Sequence, residues 1–152
     1  MTQSERGLGQ RWFEQVWNLG WREVIAEILS PNAILHDGAS ETIGPNGFYP
    51  FFDRMGAAFS TLRVDVVETF AEGDRICVRW SCTARHTGDG LGMAATGANI
   101  GVTGITIMRV AEEKIVEAWQ NWDMLAMMEQ IQGFARSATY LGAPSVSTAV
   151  RS

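Results

Sequence analysis

Lys114-Ile115-Val116-Glu117-Ala118-Trp119-Gln120-Asn121-Trp122-Asp123-Met124-Leu125 decides how this chain is read. A β-type run passes through a carboxylate, two amides and two indoles, then turns at once into an apolar helix. Alternation along the strand puts Ala118, Gln120 and Trp122 on one face. Glu117, Trp119, Asn121 and Asp123 fall on the other. Polar groups packed among tryptophans are costly unless they are bonded or used. Such surroundings raise the pKa of a carboxyl and suit it to acid or base work. Asp123 stands just before the helix, so two roles are open to it: acid/base group, or N-cap for the free N–H groups at the helix start.

Working back from this stretch, Ala111-Glu112-Glu113 is a turn and Ile100 to Val110 a strand. A glycine-rich connection from Thr87 to Gly97 precedes it, expected as a flexible lid or hairpin loop at a cavity mouth. Arg75 to His86 is a long strand with Ile76, Val78, Trp80 and Cys82 on one face. Glu72-Gly73-Asp74-Arg75 signals a hairpin to the alternating run Leu62 to Glu68. Earlier still the period becomes helical. Trp12, Phe13, Val16, Trp17 and Leu19 mark a helix over 4–19. A second covers 21–29 and ends at Ser30-Pro31-Asn32. Ala33 to Gly38 is a short strand ending in a turn. Gly44-Pro45-Asn46-Gly47 opens a third helix striped by Phe48, Phe51, Phe52, Met55 and Phe59. Three helices followed by four long β-segments make an α+β domain, mostly antiparallel, with the helices on one face of a curved sheet. A pocket belongs between the layers.

The 152 residues fit one domain, with a core over about 10–134 and a loose tail at 135–152. Hydrophobic residues make up 46% and charged ones 19%, a globular balance. A net charge of −5 without a basic cluster speaks against a nucleic-acid surface. No run reaches membrane length and no signal peptide opens the chain. Cys77 and Cys82 lie on one strand about 16 Å apart, beyond disulfide reach. A reduced, cytoplasmic protein is the simplest expectation. No ligand spacing for a metal is present around the only histidines, His36 and His86. Each ends a strand near a turn, where an imidazole can either carry protons at a cavity or bond quietly to backbone.

Several motifs occur in a telling order: Ile34-Leu35-His36-Asp37-Gly38 before a glycine-proline turn, Ala71 to Trp80, Ala84-Arg85-His86-Thr87-Gly88, Leu91-Gly92-Met93 with Thr96-Gly97, and Glu113 to Trp119. With them the chain resembles the SnoaL-like polyketide cyclase branch of the nuclear transport factor 2-like superfamily, over about residues 10–134. The resemblance implies a cone-shaped α+β barrel with a deep apolar cavity. It implies ring closure by intramolecular aldol chemistry without metal or cofactor, or help in hydroxylating aromatic polyketides, with relatives in antibiotic biosynthesis. Gln120 stands where the family's strand aspartate would fall, and an amide does not ionise. Asp123 matches the second acidic position.

The expected activity is therefore cofactor-free proton transfer on an aromatic or polyketide-like substrate. Asp123, His36 and His86 are the candidate catalytic residues. Gln120, Asn121, Trp119, Trp122, Trp17 and Phe52 are the candidate substrate contacts. A hydroxylation component served by a separate reductase is the runner-up, epoxide hydrolysis a weaker third, and a binding domain without turnover the reading outside enzymes. A homodimer through the outer sheet face is expected, because helices cover only one face and the other alternates apolar residues too. A tail folded back over the sheet is the monomeric alternative.

Overall fold

The computed structural model describes residues 1–133. The expected tail at 135–152 lies outside the described residues. Six strands form one curved sheet in the order β2-β1-β6-β5-β4-β3. They are β1 (Leu29–Asp37), β2 (Ser40–Ile43), β3 (Phe59–Glu72), β4 (Arg75–His86), β5 (Asn99–Ala111) and β6 (Lys114–Trp122). All neighbours are antiparallel except β1 and β6, which run parallel. The helices are α1 (Gln3–Arg6), α2 (Leu8–Arg11), α3 (Val24–Ile28), α4 (Gly44–Ala58) and α5 (Met124–Gln132). They pack on the concave face, so the α+β cone expected from the sequence is the fold observed.

The long hairpins sit where alternation places them. Along β4 the buried residues are Ile76, Val78, Trp80, Cys82, Ala84 and His86, with the arginines outside. Asn99 to Ala111 alternates just as cleanly, with Thr106 and Met108 inside and Ile105 and Ile107 outside. Gly73 at φ 59° supplies the tight turn from β3 to β4.

Three local expectations change. The second helix is only Val24–Ile28, because the chain turns extended at Leu29 and enters β1 there rather than after Asn32. The Ser40–Ile43 stretch pairs with Ile34–Asp37 as a strand, adding an edge that short, polar residues conceal from pattern reading. The glycine-rich segment is docked rather than loose. The Thr87 and Gly88 N–H groups donate to the Ala58 carbonyl, and a Cβ on Gly90 would lie 2.3 Å from the Arg54 carbonyl oxygen. Glycine is used there because the segment lies flat against the end of α4.

The first helix also departs from plain α geometry. Trp12–Asn18 is π-helical, and the Leu19 N–H donates to the Glu14 carbonyl at 2.9 Å. An α-helix turns about 100° per residue, so positions five apart would point about 140° away from each other. The i to i+5 bonding of a π-helix brings such positions onto one side. Trp12 and Trp17 thus both meet Phe48, at ring separations of 5.0 and 6.0 Å.

Candidate active site

Two adjoining chambers lie between the sheet and the helices. The larger, about 270 Å³, is walled by Trp12, Trp17, Phe48 and Phe51 from the helices and by Leu35, Met108 and Ala118 from the sheet. The smaller, about 70 Å³, is enclosed by Phe13, Trp80, Cys82, Trp122 and Met127 among others. Trp17, Phe51 and Gln120 line both. The inward face of β6 is therefore the one carrying Ala118, Gln120 and Trp122.

A chain of polar groups runs along the floor. The Trp80 Nε1–H donates to Thr106 Oγ1 at 3.0 Å. The Thr106 hydroxyl donates in turn to Gln120 Oε1 at 3.2 Å. With its oxygen engaged, the Gln120 amide presents its N–H groups, and one of them bonds the Asp37 carboxyl. The Trp122 Nε1–H reaches the same carboxyl at 3.4 Å from Oδ2. Parallel pairing sets Asp37 directly beside Gln120 in register. Burial pushes the Asp37 carboxyl above the usual carboxylate range, against the Trp122 and Gln120 N–H groups, which pull it down. A carboxyl so poised can hold a proton and release it, with donors fixed on its ionised form.

The residues expected from sequence are distributed unevenly around this floor. Gln120, Trp122 and Trp17 line the cavity. Asp123 serves as N-cap of α5: its Oδ1 accepts the Ala126 N–H at 2.9 Å. It lies with Asn121 in an outer groove beside Arg79 and Ile105, across the sheet from the chambers. Phe52 packs behind Trp17, at 5.3 Å between rings, and lines a shallow groove instead. His36 borders the larger chamber, yet its ring points outward. Nε2 is 2.9 Å from Glu117 Oε2, Nδ1 is 3.4 Å from Glu41, and the ring stacks on Trp119 at 5.5 Å. The Arg75 guanidinium also lies over the Trp119 ring, 5.0 Å from its centroid. Glu117, held also by Arg109, is pulled below the usual range, chiefly by its His36 bond. His86 is wholly buried against Phe59. Its Nδ1 accepts the Thr96 N–H at 3.2 Å, which leaves the proton on Nε2. That Nε2 has no partner among the described residues.

Asp37, Thr106 and Trp80 were not among the candidates. Asp37 shares the Leu35 face of β1 by simple alternation, which was a usable signal. Nothing in the sequence shows that β1 lies against β6. Among the described residues no group of His, Cys, Asp or Glu side chains is arranged to hold a metal ion.

Both thiols are held above the ordinary cysteine range. Burial pushes Cys82 up to about 11, with Asp65 adding to the effect, and burial and Glu68 raise Cys77 as well. At pH 7.5 the Cys82 thiolate should be scarcer than that of an ordinary cysteine by about a hundredfold or more. Native protein treated with a disulfide-exchange reagent should release colour slowly, and quickly once unfolded in guanidinium. Fast reaction of both thiols in the native state would contradict this burial.

The family model of the SnoaL-like polyketide cyclases matches residues 8–131. This chain belongs to that family. Solved structures agree. A candidate SnoaL-like polyketide cyclase from Jannaschia sp. CCS1 shares 25% identity over 86% of this chain and 93% of its own, at a TM-score of 0.79. A candidate polyketide cyclase from Acidithiobacillus ferrooxidans is also 25% identical, over 87% and 96%, with a TM-score of 0.74. AclR from Streptomyces galilaeus, a candidate hydroxylase, shares the fold at 22% identity over 86% and 96%, with a TM-score of 0.76. No curated protein matches the chain. In this SnoaL-like protein the strand-end aspartate is a helix cap, and the cavity carboxyl comes from β1.

Proposed function

We propose that this SnoaL-like protein is a cofactor-free acid–base enzyme acting on a small aromatic or polyketide-like molecule, with Asp37 as its proton carrier. The observation that carries the reading is the half-buried Asp37 carboxyl, raised by burial and gripped by the Trp122 and Gln120 N–H groups in an aromatic chamber. Ionised, Asp37 removes a proton from carbon beside a carbonyl. The second N–H of Gln120 then stabilises the developing enolate oxygen. Protonated, Asp37 returns the proton to carbon or oxygen, which completes a cyclisation or isomerisation. Gln120 itself cannot ionise, so its part is to orient and to donate.

2-Tetralone in deuterium oxide tests this directly, because its acidic C–H positions exchange visibly by NMR. The expected result is exchange faster than in buffer by at least tenfold. Exchange no faster than in buffer removes the acid–base reading. The amide at Gln120, in place of a second carboxyl, favours one other reading: assistance to hydroxylation, with electrons from a separate reductase. Labelled dioxygen separates the two. An unlabelled product of unchanged mass supports proton transfer, and incorporated label supports hydroxylation.

We further propose a homodimer through the convex sheet face. Val67, Phe70, Ile105 and Ile107 are exposed there, flanked by Arg75, Arg79 and Arg109. Sedimentation at micromolar concentration should give a two-fold assembly for the full chain and for a version ending at Gly133. A full-length monomer would sink the dimer. A dimer that appears only on truncation would show that the tail covers this face.

A further inference from the structure

We propose that the substrate of the larger chamber bears an anionic group, a carboxylate on its aromatic or polyketide-like body, and that Arg54 selects it. The inference rests on the reading of that chamber as the substrate site. Arg54 follows Phe51 by three residues and Phe48 by six on α4, a spacing that keeps all three on one helix face. All three line the larger chamber. Among the described residues Arg54 is the one arginine or lysine lining either chamber.

Among the described residues most other cations are engaged, Arg6 at the end of α1 excepted. Arg11, Arg22, Arg63, Arg75, Arg79 and Arg109 are held in ion pairs. Lys114 is held by the Ala26 and Glu27 carbonyls, and Arg85 by the Gly97 carbonyl. Arg54 has no ion pair or side-chain hydrogen bond among the described residues. Asp37 does not occupy it either: what governs the Asp37 carboxyl is burial, Trp122 and Gln120. The chamber thus counts Asp37 on its floor and Arg54, an exposed residue of α4, among the residues that line it, together with aromatic rings. The chain as a whole carries −5 and repels anions. A local cation offsets that, and the planar guanidinium fork matches a carboxylate. Ser40 and Thr42 line the same chamber with hydroxyls that accept no neighbour's hydrogen bond among the described residues. The bland alternative is a surface arginine whose stem merely covers apolar wall.

Equilibrium dialysis at low salt with 1-naphthoate and its neutral isostere 1-naphthamide separates these. Wild type should bind naphthoate about tenfold more tightly than naphthamide, the scale of one charge-assisted contact. Arg54→Gln should abolish that preference and leave naphthamide binding unchanged, which also reports an intact chamber. Arg54→Lys should keep part of it. Equal affinities in wild type, a preference surviving in Arg54→Gln, or no naphthoate binding at millimolar concentration would each overturn the proposal. A preserved naphthoate preference with no tetralone exchange would sink the catalytic reading alone. Exchange with no preference would sink this one alone.

Discussion

Asp37→Asn is expected to lower turnover by roughly 10²–10⁴-fold, the range for loss of a positioned general acid or base. The asparagine oxygen can still accept the Trp122 N–H, so the chamber should keep its shape and its affinity for ligands. The same variant has a stability signature with a definite sign. Burial raises the Asp37 carboxyl, so the folded protein holds a proton that the unfolded chain has already released. Stability contributed by this group is then full below the ordinary carboxylate value and falls as pH rises through the raised one. Asparagine removes that fall. Thermal melts should show the variant gaining on wild type as pH rises to neutrality and losing the advantage in acid. Turnover within a few-fold of wild type would dismiss Asp37 as the proton carrier, whatever the melts show.

Gly104→Ala should carry the largest structural effect near the site. A Cβ there would meet the Trp80 ring at 2.3 Å from Cζ2 and 2.7 Å from Cε2. Trp80 is almost fully buried, against Phe13 at 5.7 Å between rings, and cannot step aside freely. Overpacking of this kind costs about 1–3 kcal/mol. For a chain of this size that is a fall in Tm of about 2–4 °C per kcal/mol. The indole would also leave Thr106, and Thr106 would no longer fix the Gln120 amide. Turnover should therefore drop along with stability. Trp80→Phe separates the two effects, since it removes the N–H donor without adding a clash. Melts and turnover both unchanged in Gly104→Ala would show that the indole shifts at no cost and that the floor does not depend on it.

The hairpins were legible because β4 and β5 obey a period of two and the β3–β4 turn carries glycine. The helical cover was legible from aromatic spacing, although Trp12 and Trp17 look misaligned on an α-helix and fall together only through the π segment. The site was half legible. Gln120 and Trp122 follow from alternation once one face is known to be inside, but Asp123 looks the same in sequence as cap or as catalyst. The Ala126 N–H at its carboxylate shows which surroundings it has. His36 misleads for a related reason: it borders the cavity while its ring belongs to the outer cluster of Glu117 and Trp119. Asp37 was hidden by a long-range fact, the parallel contact of the first strand with the last.

That contact also fixes an order of events in the life of the chain. In the sheet order β2-β1-β6-β5-β4-β3, the β1–β2 hairpin borders only β6. As the polypeptide leaves the ribosome, β3, β4 and β5 can zip together one after another through local turns. The β1–β2 pair is made first and seated last, with no sheet to join until the final strand emerges. Contacts so distant in sequence form slowly, and an unseated strand edge invites pairing with other chains. The polar residues of Ser40–Ile43 suit a strand that must wait in water. Asp37 and Gln120 meet only at that closing step, so the floor of the chamber is assembled when the sheet is complete.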